Sequence, residues 1–232
     1  MLDARNVNIP DHWTKLRSID FGFSHPFVCQ WWALDEQNIM YLYREIYMTR
    51  RHIELHAESI NKYSEGESYV ATVADGNDTA NIDVLRRHGI FCQLADKEKE
   101  YGMQLMLERL RVFPDAVRQE EKTNMYFLNN ALVETDGELA QKFHPHTTFQ
   151  SLINLMFKDN QTGSRNEEEP VKRHDDGYDA TRYAVVAIDG HLISGREVHT
   201  ETVNVATGYE PNRKRARRDR VKDRGRSKMR GR

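Results

Sequence analysis

Three apolar, aromatic and β-branched segments follow one another between Lys15 and Met48, and this spacing constrains the fold more than any other feature of the chain. Lys15 to Ser24 (KLRSIDFGFS), Pro26 to Leu34 and Asn38 to Met48 read as strands, with Asp35-Glu36-Gln37 as the short polar turn between the last two. Thr49, a candidate N-cap, opens a helix that runs to about Tyr63 and sets Ile53, His56 and Ile60 on one face. Ser68 to Ala74 (SYVATVA) is a short apolar strand that ends in the turn Asp75-Gly76-Asn77-Asp78. Asn81 to His88 is helical and stops at Gly89. The order β-β-β-α-β-α predicts an α/β fold, a mixed sheet covered by helices.

The second half continues in kind. Glu98 to Arg111 forms an amphipathic helix closed by Pro114, and Asn124 to Val133 returns as a strand. Thr147 to Phe157 is a helix, Lys158 to Lys172 a polar loop, and Asp175 to Ile188 a helix with Tyr178, Tyr183 and Val186 on its apolar faces. With 232 residues the chain suits one domain. No apolar run approaches the roughly 18 residues of a membrane span, and the N-terminus has no secretory pattern. Cys29 and Cys92 lack zinc spacing and read as reduced thiols of a cytosolic protein.

The net charge of −2 conceals an asymmetry. From Arg213 to Arg232 there are 12 Lys/Arg against Asp219 and Asp223, which leaves 22 Lys/Arg against 34 Asp/Glu over residues 1–212. The body is acidic and the tail basic, a division that suits carboxylates for metal and cations for phosphate. The tail carries almost no apolar residues and is expected to be disordered when free. Arg213, Lys214, Arg215, Arg217 and Arg218 are its candidate nucleic-acid contacts, in a salt-dependent mode; an acidic protein patch is the other partner it suits.

Two acidic residues close apolar strands. Asp20 follows Leu16 and Ile19, and Asp75 follows SYVATVA. A carboxylate at the end of a buried strand is costly unless a cation neutralises it. A third group, His174-Asp175-Asp176-Gly177-Tyr178-Asp179, opens a helix, with Asp176 and Asp179 on one face. Each has a structural explanation, as turn residue or helix cap. Their occurrence together in the order strand, strand, helix favours one shared site. Oxygen ligands without paired His or Cys point to Mg2+ or Mn2+, and two such ions suit phosphodiester cleavage.

These residues resemble a known family. Ile19-Asp20-Phe21-Gly22-Phe23-Ser24-His25-Pro26 resembles the first nuclease motif of the large terminase subunits of tailed phages, and Tyr41 to Tyr47 is similar to the family's next strand. Val73-Ala74-Asp75 resembles its second acidic motif, and Asp175 to Tyr183 (DDGYDATRY) its third; Ala95-Asp96-Lys97 to Leu110 is similar to the helix between them. The resemblance covers roughly residues 15–190. It implies a ribonuclease H-like fold and a divalent-metal endonuclease that cuts concatemeric double-stranded viral DNA during genome packaging, in the cytoplasm of the infected host cell. It further implies an ATPase domain in the same polypeptide, with the portal and the small terminase subunit as partners. No G-x-x-x-x-G-K-[ST] phosphate loop occurs here, so the chain reads as the nuclease half alone. Residues 1–14 then read as a linker remnant, 15–211 as the nuclease domain and 212–232 as the basic tail.

Carried over residue by residue, the resemblance makes Asp20, Asp75 and Asp176 the catalytic metal ligands. Asp175 or Asp179 would bind the second ion or orient a ligand. Glu45 reads either as a residue behind the ligands or as an exposed partner of Arg44 or Arg50. Lys97 reads as a phosphate contact or a solvated lysine, and His174 as a helix-start residue ahead of a metal ligand. Trp31-Trp32 reads as strand core with one partly exposed face. Other ribonuclease H-like enzymes, such as a junction resolvase or a transposase core, use the same carboxylate logic. A DNA-binding adaptor, its acidic residues mere caps and turns, is the non-enzymatic alternative.

Overall fold

The computed structural model describes residues 7–115, 120–155, 174–190 and 201–202. The polar loop at 158–172 and the basic tail, with Arg213, Lys214, Arg215, Arg217 and Arg218, lie outside the described residues.

The first three strands are β1 (Thr14–Asp20), β2 (Phe27–Leu34) and β3 (Met40–Met48), paired antiparallel in succession. After α1 (Ile53–Tyr63) come the short β4 (Ser68–Tyr69) and then β5 (Ala71–Ala74), which lies parallel to β1 on its other side. Then follow α2 (Thr79–Arg87), β6 (Gln93–Leu94), α3 (Lys99–Leu110), the small antiparallel pair β7 (Phe113–Asp115) and β8 (Glu120–Lys122), and β9 (Met125–Phe127). Three helices complete the unit: α4 (Gly137–Gln141), α5 (Thr148–Ile153) and α6 (Asp176–Asp189). The six-stranded sheet has the order β6-β5-β1-β2-β3-β9, antiparallel in its centre and parallel at its flanks. The expected mixed α/β sheet is therefore present.

Helices cover both faces. Ala57 and Ile60 of α1 and Ile82 and Leu85 of α2 pack with Ile19, Trp31 and Ile46 on one side. Met106 of α3 and Tyr183, Ala184 and Ala187 of α6 pack with Leu16, Trp32 and Leu42 on the other. Alternation along a strand sends Trp31 and Trp32 to opposite faces, and both are fully buried. The partly exposed face expected for this pair is absent because the centre of a doubly covered sheet has no solvent side; every residue of β2 is buried.

A buried amide secures α6. Gln30 of β2 donates through Nε2 to the Thr148 hydroxyl at 2.7 Å and to the Gly177 carbonyl and Thr181 hydroxyl at 3.0 Å. Its Oε1 accepts from Ser18 at 3.1 Å and from the Trp32 indole at 3.0 Å. The side-chain amide is thus satisfied without solvent, and β1, β2, α5 and α6 are pinned together at one place.

Several boundaries depart from expectation. Helix α1 begins at Ile53, not Thr49, because the Thr49 amide and hydroxyl both donate to Asp136 Oδ2 at 2.7 Å. The strand expected over Asn124–Val133 shortens to Met125–Phe127, with an isolated bridge from Leu132 to Glu45. Helix α4, absent from the expectations above, does carry a local signal: Asp136 caps it, accepting from the amides of Glu138 and Leu139. Glu45 is buried, which overturns its reading as an exposed partner of Arg44 or Arg50. Its Oε2 accepts from the Thr148 amide at the start of α5, and burial pushes its carboxyl up to about 7.

Candidate active site

Asp20 is the last residue of β1, on the same face as Leu16 and Ser18 by strand alternation and thus on the face that α6 covers. Ile19 is in register with Ala74 of the parallel strand β5, so Asp75 leaves the sheet beside Asp20; its amide donates to the Ile19 carbonyl. Helix α6 starts over the same end of the sheet, with Asp175 as its N-cap and Asp176 and Asp179 in its first turn. The three segments expected to share a site do converge.

Close approach brings the helix here. A Cβ on Gly177 would stand 2.9 Å from the Thr148 Cα and 3.1 Å from the Ser151 Cβ, so only glycine lets α6 meet α5 at this point. A Cβ on Gly22 would stand 2.3 Å from the Pro26 carbonyl oxygen, and the turn after Asp20 folds back tightly for the same reason. The Gly positions within Asp20-Phe21-Gly22 and Asp176-Gly177 thus allow the close approaches beside the carboxylates.

The electrostatics are those of like charges held together. Burial raises the Asp20 carboxyl well above the usual carboxylate range, and the neighbouring Asp179, Asp176, Asp75 and Asp175 each raise it further. Burial also lifts Asp176 to about 6, against the pull of His25. Three side chains each meet one of these carboxylates. Lys97 pairs with Asp75, the His25 Nδ1 stands 3.0 Å from Asp176 Oδ1, and the Arg182 Nη2 stands 2.9 Å from Asp179 Oδ1. Lys97 therefore engages one carboxylate of the group, that of Asp75. His25 carries no sequence signal of its own for this role; the loop between β1 and β2 brings it to Asp176 across 151 positions of chain.

A cleft of about 530 Å³ opens over this end of the sheet. Asp20, His25, His144, Asp175, Asp176 and Asp179 line it, and Asp75 stands outside it beside Lys97. His174 also lines the cleft, in a left-handed backbone conformation, its ring 4.8 Å from that of His144. Among the described residues no three acidic or His side chains already stand together as a ready-made metal site. The four carboxylates that line the cleft, two of them with proton affinities raised by burial and by neighbouring carboxylates, are donors of the kind a hard divalent ion takes.

No protein-family model and no curated protein matches the sequence. Solved structures do share the fold. The large terminase of a thermophilic bacteriophage, in complex with ADP, superposes with a TM-score of 0.60 at 20% identity, over 81% of this chain and 44% of that one. The nuclease domain of the P22 large terminase gives 0.53 at 17% identity, over 77% and 82%. The nuclease domain of the bacteriophage SPP1 large terminase, solved with bound Mn, gives 0.50 at 19% identity, over 79% and 90%. The chain spans less than half the length of the ADP-bound terminase but matches most of the two isolated nuclease domains. Its α/β fold is that of the nuclease domains of large terminases.

Proposed function

We propose that this chain is a divalent-metal-dependent endonuclease that hydrolyses phosphodiester bonds of double-stranded DNA during viral genome packaging. The observation that carries the proposal is the convergence on Asp20, at the end of β1, of Asp75, Asp175, Asp176 and Asp179. It lies in a fold shared with terminase nuclease domains, one of them solved with bound Mn. Asp20, Asp75 and Asp176 would hold the ions, with Asp175 or Asp179 completing the second position. When bound, a pair of Mg2+ or Mn2+ ions supplies activation of water and stabilisation of the leaving oxygen.

The remaining residues act on geometry and charge. Gly177 and Gln30 fix α6 so that Asp176 faces Asp20. His25 holds one oxygen of Asp176 and so orients the other. Lys97 balances Asp75 and would meet a phosphate that enters beside it. Arg213, Lys214, Arg215, Arg217 and Arg218 would add non-specific backbone affinity. An ATPase domain in the same polypeptide, the portal and the small terminase subunit are the partners this role requires.

Plasmid nicking tests the reading. Activity is expected with Mn2+ or Mg2+, none in EDTA, and none from Asp176→Asn with either ion. Cleavage that survives both EDTA and this substitution would sink the site.

A further inference from the structure

Phe143 is 95% exposed, the highest value among the large apolar side chains of the described residues. Its backbone is also strained, with φ at 55° in the left-handed region. The reason is local. Lys142 is the C-cap of α4, and the Phe143 amide donates to the Ala140 carbonyl at 3.2 Å while the His144 amide donates to that of Leu139 at 3.0 Å. This is the Schellman closure of a helix, in which the left-handed position is ordinarily glycine. A phenylalanine there costs backbone energy, and among the described residues its ring is buried against nothing. Strained residues of this kind concentrate where they contact a ligand.

The surroundings indicate which ligand. His144, the next residue, lines the cleft that holds Asp20 and Asp176. On the other side, Lys142 pairs with Glu138 at 2.5 Å, and Glu138 also pairs with Arg50 at 3.1 Å. Arg50 follows Thr49, itself a wall of the cleft. Two cations around one carboxylate leave a net positive charge at α4, the helix that Phe143 closes and whose following residue, His144, lines the acidic cleft. Cation and ring together suit a nucleic-acid strand, whose phosphates meet the charge and whose bases meet the ring.

We propose that Phe143 is a DNA-contacting residue whose ring stacks on the face of a base next to the cleavage position. The proposal rests on the DNA-cleaving reading and specifies how the duplex is held at its site. The closing of α4 presents the ring on a backbone fixed by two hydrogen bonds, so insertion costs little further ordering. A ring that stacks on a base draws it away from its neighbour in the duplex.

The test uses the full chain in Ca2+, so that binding proceeds without cleavage, and a duplex of about 20 base pairs carrying 2-aminopurine. Phe143→Gly removes the ring and relieves the backbone, so it retains or raises the melting temperature. It is expected to lose about tenfold in duplex affinity and the rise in 2-aminopurine emission. Phe143→Trp is expected to keep both, and Phe143→Leu to lose the emission change. If the parent chain binds the duplex and Phe143→Gly binds it equally with the same emission, the stacking role is overturned while the nuclease reading stands. If Phe143→Leu behaves as the parent does, apolar bulk suffices without an aromatic face and the proposal fails. If the parent chain does not bind duplex at all, both fall.

Discussion

His25 and Asp176 meet at 3.0 Å, which ties the loop after β1 to the first turn of α6 and leaves a carboxylate both buried and paired at the floor of the cleft. The pairing does not offset burial, since Asp176 remains lifted to about 6. A group whose proton affinity is higher in the folded state stabilises the fold while it is protonated, and that contribution is lost as pH rises through the folded value.

Asp176→Asn removes this titration. In EDTA the variant should therefore gain stability relative to the parent as pH rises from 4.5 to 7.5, by about 2 kcal/mol for a shift of this size. Urea unfolding of both proteins at the two pH values measures it. A difference that stays constant, or narrows, would show that Asp176 is not held against its charge.

Gly177→Ala tests the contact that brings α6 to Asp20. The added methyl meets the Thr148 backbone, where no flexible side chain can give way. Overpacking of this kind costs about 1–3 kcal/mol, and the shift it forces moves Asp176. Nicking activity is expected to fall by more than the loss of folded protein explains. Full activity at an unchanged melting temperature would show that the helices tolerate separation.

His56 supplies an opposite pH dependence. It is buried in α1 against Phe27, ring centroids 3.9 Å apart, and neither ring nitrogen has a hydrogen-bond partner among the described residues. Burial depresses it to about 3, so the neutral ring is the one that fits. Its stabilising contribution is complete above the ordinary histidine range and declines as pH falls below it. His56→Phe should remove about 2 kcal/mol of the loss between pH 8 and pH 5. An identical acid sensitivity in the variant would place the responsible group elsewhere.

Much of the fold follows from local pattern. The three strands between Lys15 and Met48, the helices around Ile60, Leu85 and Met106, and α6 arise from apolar periodicity and turn residues, and neighbours in sequence suffice to specify them. Asp20, Asp75 and the Asp175–Asp179 group are legible because acidic residues rarely end apolar strands without a reason. Residues whose roles depend on partners far along the chain cannot be read in this way. Glu45 looks exposed until α5 places the Thr148 amide on it, and Trp32 looks half-exposed until α6 covers its face. Thr49 looks like a helix cap until Asp136, 87 positions away, claims its amide.

The division has one physical cause. Periodicity, capping and the cost of a carboxylate at a strand end are short-range properties, so the sequence alone determined the succession of β1, β2, β3, α1, β5, α2, α3 and α6 and nominated the acidic residues, while α4 and the short strands β6, β7 and β8 escaped it. The order of strands in the sheet and the cover on both of its faces are long-range outcomes, as are the meeting of His25 with Asp176 and the engagement of Asp75 by Lys97. They depend on which buried polar groups find partners across the chain, and only the tertiary structure decided them.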